Sequence, residues 1–307
     1  MTYSSFRLNN DIPTPSTDEP RAIDLQAGRR AFIRSVGLGV AGAALFAGAG
    51  STTAQAQAAV NDVNIFNFAL NTEYLEAEFY TRAAFGQGLL DADVTGTGTL
   101  GPVAGGRQVP FADPTVRKLA VELANDELAH VRTLRNALGS NRVARPAIDL
   151  GLSFTLAARA AGLAGPNEVF DAFANDQNFL LASFLFEDVG VTAYGGAAPL
   201  ITDKANLAGA AGILAVEAYH AGAIRALLYQ RGLMEQAGRI SAARDSLDGT
   251  TTLDQGIGDS PTINITPTDV DGVAYRRTFT QVLNVLYLNP NTQPSGFFPN
   301  GLNGALR

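Results

Sequence analysis

The sequence predicts an all-α protein: a four-helix bundle with one long crossover and a C-terminal extension containing a short helix. Three observations carry this. Four long stretches repeat apolar residues three and four apart, the period of a helix with one buried face. Capping residues, glycines and prolines punctuate those stretches. Residues 140–165 then separate the second stretch from the third, longer than the loops of an up-down bundle and suited to a connection running the length of the bundle. With 46% hydrophobic residues in 307, the chain has ample material for a packed core.

The first helix is expected from about Asp62 to Phe85, where Gly86 and Gly88 stop it. A glycine-rich loop over 86–112 leads to Asp113-Pro114, a capping acid followed by proline at the first helical position. From there the second helix runs to about Leu138, before Gly139. The crossover is weakly apolar between Leu150 and Leu163. The third helix is expected from about Pro166 to Tyr194, ended by Gly195, Gly196 and Pro199, and the fourth from about Asp203 to Arg231, ended by Gly232. A polar stretch over 241–272, a short helix near Tyr275 to Leu288 and a tail rich in glycine, proline and asparagine follow. The bundle is thus assigned to 60–235, and an extension packing on it to 236–307.

Residues 1–58 read differently. Arg29, Arg30 and Arg34 precede an apolar, glycine- and alanine-rich run from Val36 to about Ala49, and small residues at Ala54, Ala56 and Ala58 offer cleavage sites. This is the order of an export signal. The paired arginines ahead of Phe32 and Ile33 resemble the twin-arginine type, which implies a periplasmic or otherwise exported protein with no membrane attachment after cleavage. A permanent membrane anchor is the competing reading. It is disfavoured because the run falls short of the ~20 residues a span needs and is broken by glycines.

Composition narrows the chemistry. A net charge of −7 without any basic run excludes a nucleic-acid partner. With no cysteine there is no disulfide, no thiolate catalysis and no cysteine-held zinc or iron–sulfur centre. A bound metal would have to accept oxygen and imidazole nitrogen.

The inward seams of the four helices supply such donors. They read Phe66, Leu70, Glu73, Ala77, Tyr80; then Leu119, Leu123, Glu127, His130, Leu134; then Leu180, Phe184, Glu187, Val191, Tyr194; and finally Ala210, Ile213, Glu217, His220, Ile224, Leu227. Each is apolar except near its middle. A buried carboxylate must neutralise or find a compensating charge, and four in one core repel one another unless cations lie between them. Two divalent ions supply that balance, and carboxylate with neutral imidazole suits iron or manganese. Both histidines of the chain stand three residues after a glutamate, an accident of roughly one in a thousand for unrelated positions. That spacing puts each pair on one helical face. Exposed Glu–His pairs on surface helices are the bland alternative; two copies on apolar stripes argue against it.

On the first helix Glu73, Glu76 and Glu78 compete. Glu78 lies off the seam and is expected in solvent. Glu73 precedes Tyr80 by seven residues, as Glu187 precedes Tyr194, which favours Glu73. Glu76 stays open as a carboxylate behind the ligands or an additional one. Tyr80 and Tyr194 are expected to pack as buried seam residues, with a hydrogen bond to a ligand or a part in electron transfer as the alternative.

The run Phe68 to Tyr80, the two Glu-x-x-His motifs, the run Glu187 to Tyr194 and the ending Gly296-Phe297-Phe298-Pro299-Asn300-Gly301-Leu302-Asn303-Gly304 together resemble the ferritin-like superfamily. Within it the chain most resembles the ferritin-like domain family that includes desiccation-related proteins. The resemblance implies a carboxylate-bridged pair of iron or manganese ions that reacts with oxygen or hydrogen peroxide. Residues Glu73, Glu127, His130, Glu187, Glu217 and His220 match the superfamily's pattern of one glutamate from each of two helices and Glu-x-x-His from each of the others. No catalytic residue beyond these is expected. The functions in competition are a di-metal oxidase, peroxidase or catalase-like enzyme, and a non-catalytic, metal-stabilised protein of desiccation or envelope stress. Iron storage in a homo-oligomeric cage comes last, because the C-terminal extension suits such a cage poorly. The tail's two phenylalanines are expected to pack on the bundle.

Overall fold

Each long helix begins at a side chain that replaces the partners its first backbone N–H groups lack. The computed structural model describes residues 60–307. Among them are eight α-helices: α1 (Asp62–Phe85), α2 (Asp91–Val94), α3 (Pro114–Leu138), α4 (Leu152–Ala160), α5 (Asp176–Ala197), α6 (Lys204–Gln230), α7 (Met234–Leu247) and α8 (Phe279–Leu286). The expected export signal over 1–58 lies outside the described residues. Asn61, Asp113, Asn175 and Asp203 cap α1, α3, α5 and α6, each accepting a backbone N–H from its own first turn. Gly86 closes α1 at φ 75°, a left-handed conformation that costs glycine little.

The bundle is made of α1, α3, α5 and α6. Helix α1 packs chiefly on α3, and α5 on α6; the pairs meet across α1–α5 and α3–α6. Leu70, Phe79, Leu123, Phe184 and Ile224 are fully buried between them. By composition α6 could cross a membrane, but it carries Glu217, His220 and Arg225 buried within the bundle. The connection from α3 to α5 holds α4 and a strand β2 (Ile148–Asp149), which pairs in parallel with β1 (Val103–Ala104) of the α1–α3 loop.

Two expectations are corrected. The third bundle helix starts at Asp176, not near Pro166. Residues 163–175 are instead turns tied to α4: Arg159 donates to the carbonyls of Gly165 and Glu168, and the Thr155 hydroxyl exchanges hydrogen bonds with the Phe170 backbone. The true cap is Asn175, whose side chain accepts from the Asn178 N–H. Likewise residues 241–247, expected within a polar stretch, continue α7, so the extension carries two helices. The buried stripe of α7 is Ala237, Ile240, Ser241 and Arg244 at helical spacing, with polar residues where a sequence reading looks for apolar ones.

Arg244 belongs to a buried set of charges that fastens the extension to the bundle. Its guanidinium donates to Asp188 of α5 at 2.7 Å and Asp254 at 2.6 Å, and lies 4.4 Å from the centre of the Phe184 ring. Arg225 of α6 donates to Asp188 at 2.7 Å and to the carbonyls of Gln255, Gly256 and Asn264. Arg277 donates to Asp248 at 2.9 Å, Asp254 at 2.7 Å and the Thr192 hydroxyl at 3.0 Å. Three arginines face three aspartates, so the cluster is neutral. As expected, the tail packs inward: Phe297 and Phe298 are fully buried, Phe297 with its ring 5.0 Å from Phe154 and 4.9 Å from Phe186.

Candidate metal centre

The four seams converge at mid-bundle. Glu73 comes from α1, Glu127 and His130 from α3, Glu187 from α5, Glu217 and His220 from α6, and each is buried. Most other seam residues are buried too, while Leu119, Val191 and Leu227 are half-buried. Donor atoms of Glu73, Glu127, His130 and Glu217 lie within 4.8 Å of one another, and so do those of Glu127, Glu187 and His220. Glu127 is common to both groups. Nδ1 of His130 stands 3.3 Å from Glu73 Oε2, 3.2 Å from Glu127 Oε2 and 3.4 Å from Glu217 Oε1. Nδ1 of His220 stands 3.0 Å from Glu127 Oε1 and 3.4 Å from Glu187 Oε2. The two imidazole rings are 6.2 Å apart.

Whether these residues suit metal ions can be read from their bonding. Buried polar atoms normally have partners. Here Glu73 Oε2, Glu127 Oε1, Glu187 Oε2, both oxygens of Glu217 and Nδ1 of His220 are buried without a hydrogen bond, and they converge on one another. A convergent set of unbonded oxygens and imidazole nitrogen is what a hard or borderline divalent cation requires. The residues fit.

Two phenols hold the set from outside. Tyr80 of α1 donates to Glu187 Oε1 on α5, and Tyr194 of α5 donates to Glu73 Oε1 on α1. Burial, and then the neighbouring carboxylate, raise both phenols well above their ordinary pKa, so each keeps its proton. Burial also pushes Glu73 up to about 7, with His130 opposing and Glu127 adding to the rise. In Glu127 the two imidazoles outweigh burial and hold the carboxyl at about 2. Burial disfavours a charged imidazole, but Glu127 and Glu187 push His220 up to about 12, and carboxylates led by Glu73 raise His130 as well.

Glu76 lies outside both donor groups. It is buried, and burial followed by the charge of Glu217 raises its carboxyl well above the usual range. Between them sits Gly190 of α5. A Cβ there would lie 2.1 Å from Glu217 Oε2 and 3.5 Å from Glu76 Oε1, so only glycine leaves room for the Glu217 carboxylate. Gly190→Ala should lower the affinity for Mn2+ by roughly tenfold or more, with helical content by circular dichroism unchanged; equal affinity would show that Glu217 does not need this space. Glu78 is corrected: it is fully buried rather than in solvent, bonded by Arg82 at 3.0 Å and by Arg145 from the crossover. Gly190 and Asp126, which lies 3.1 Å from His220 Nε2, are the residues the sequence reading missed.

The comparisons with known proteins agree with this geometry. A family model described as ferritin-like domain matches residues 61–230, the span of the four bundle helices. The chain is 30% identical over 268 residues to the ferritin-like catalase Nec2 of Nesocodon mauritianus, covering 80% of this chain and 84% of that one. It is 31% identical over 266 residues to the desiccation-related protein PCC13-62 of Craterostigma plantagineum, covering 80% and 83%. No solved structure matches the chain. A bundle with a long crossover, a convergent glutamate–histidine core and these relatives lead to one assignment: the chain belongs to the ferritin-like domain family.

Proposed function

We propose that the protein is exported, binds a pair of iron or manganese ions through Glu73, Glu127, His130, Glu187, Glu217 and His220, and turns over hydrogen peroxide or oxygen in protection against stress. The observation that carries this reading is the convergence of buried carboxylate oxygens and an imidazole nitrogen with no hydrogen bonds of their own. The likeness to a ferritin-like catalase adds the choice of peroxide as substrate. The paired arginines near the N-terminus support export.

Each residue has a distinct part. Glu73 and Glu187 each have one oxygen engaged by a phenol and one facing inward, which suits a carboxylate that serves one ion from the end. Glu127 turns one oxygen toward each imidazole and belongs to both donor groups, so it would serve both ions, while Glu217, with both oxygens unengaged, would serve the ion beside His130. Four buried carboxylates, Glu73, Glu127, Glu187 and Glu217, facing imidazoles that would bind as neutral ligands carry a negative charge that two divalent ions would offset. Glu76 keeps its proton beside Glu217. When bound, a pair of redox metals supplies the oxidation and reduction by which two hydrogen peroxide molecules become two of water and one of oxygen.

The purified protein should contain about two equivalents of iron or manganese per chain, and should release oxygen when hydrogen peroxide is added. Metal content by elemental analysis and an oxygen electrode check this. Metal without turnover favours a second reading, in which the ions only hold the bundle together. That reading has its own support in the four converging carboxylates, whose repulsion cations relieve, and in the desiccation-related relative. A protein that takes up neither metal refutes both.

A further inference from the structure

We propose that Asp126 is a positioning residue that acts on one of the two ion positions, adding to the difference between their donor groups, an inference that rests on the metal reading above. Nε2 of His220 lies 3.1 Å from Asp126 Oδ2, while Nδ1 of the same ring faces Glu127 and Glu187. A ring nitrogen that coordinates a metal must be bare, so a neutral ligand histidine carries its hydrogen on the other nitrogen. An acceptor beside Nε2 therefore selects the tautomer with Nδ1 free, fixes the ring plane and makes Nδ1 a stronger donor. The Asp126 side chain is 42% exposed and its carboxylate makes no other hydrogen bond among the described residues. It is committed to this one ring from the solvent side.

His130 also turns Nδ1 inward, toward Glu73, Glu127 and Glu217. Among the described residues, however, no group accepts a hydrogen bond from its Nε2. The difference is already present in the two motifs. On α3 the order is Asp126-Glu127-x-x-His130, and on α6 it is Val216-Glu217-x-x-His220. The residue ahead of the glutamate on α3 serves the histidine of α6. Its register equivalent on α6 is a valine, which offers nothing to the histidine of α3. Two imidazoles in matching motifs thus differ in tautomer control and donor strength. Loading of the centre should occur in two distinct steps, with Asp126 acting on only the one that fills the position of His220.

The test is calorimetric titration with Mn2+ of the full chain, stripped by chelator, comparing the wild type with Asp126→Ala, Asp126→Asn and Val216→Asp. The wild type should show two resolved steps. Asp126→Ala should weaken one by about 10- to 100-fold and leave the other within about twofold. Asp126→Asn keeps an acceptor oxygen without the charge and should fall between. Val216→Asp should tighten the step that Asp126 does not touch, an outcome that a merely structural role for Asp126 cannot produce. Melting of the metal-free variants separates folding effects, and if Asp126→Ala does not fold, the asparagine and valine variants carry the test. Two identical sites in the wild type, or an Asp126 variant that weakens both steps alike or neither, overturns the inference while leaving the metal reading intact. A wild-type chain that takes up no Mn2+ overturns that reading, and this inference with it.

Discussion

Replacing Glu127 and His130 together by alanine is expected to abolish metal uptake. Glu127 is the one residue shared by both donor groups, with Oε2 toward His130 and Oε1 toward His220. Its loss removes an oxygen from each position at once, and the loss of His130 takes the sole imidazole from one of them. The remaining residues cannot compensate, because only two donors are then left at each position, Glu73 and Glu217 at one and Glu187 and His220 at the other. Thermal melting with and without Mn2+ provides a second readout. An ion present at about 1,000 times its Kd adds about 4 kcal/mol per site to a protein that binds it only when folded. The wild type should therefore melt higher with Mn2+ and the double variant should not respond. Unchanged metal stoichiometry in the variant would refute the assigned site.

Arg277→Met should produce the largest loss of stability outside the centre. Arg277 is fully buried, and among the described residues it is the only cation paired with Asp248 and one of two paired with Asp254. Removing it leaves the Asp248 carboxylate without a counter-charge in a site where burial already raises its pKa. Breaking a buried pair from one side costs about 3–5 kcal/mol. In a domain of this size that lowers the melting midpoint by roughly 6–20 °C. Urea denaturation followed by circular dichroism measures it. Adding Asp248→Leu should recover part of the loss, since exchanging both partners for apolar groups is often close to neutral. A loss below about 1 kcal/mol would place Arg277 among ordinary surface charges.

Much of this molecule could be read from its residues, and the exceptions share a cause. The bundle helices declared themselves because apolar stripes at helical spacing coincide with strong caps, as at Asp113-Pro114 and Asp203. The six converging donors were legible because a charged side chain in an apolar stripe has no cheap explanation. Glu78 was misjudged because a single buried face was assumed for α1. Helix α1 is enclosed on nearly every side, and Glu78 is paired both with Arg82 one turn along and with Arg145, 67 residues away in the crossover. Helix α7 was missed because its buried stripe contains the polar Ser241 and Arg244, and the partners of Arg244 lie on other segments. Asp126 and Gly190 escaped for the same reason. An acid beside a ligand and a glycine inside a helix acquire their meaning only from what stands across the core.

The reciprocal phenol bonds between α1 and α5 also act as a ruler. Each helix advances 1.5 Å per residue, and a hydrogen bond does not survive a mismatch of that size. Because Tyr80 and Tyr194 reach across in opposite senses, sliding one helix along the other by a single residue would break both bonds in the same movement. The gap between Glu73 and Glu187 is therefore gauged by protein alone, so the two carboxylates are held at a fixed separation without any cation between them.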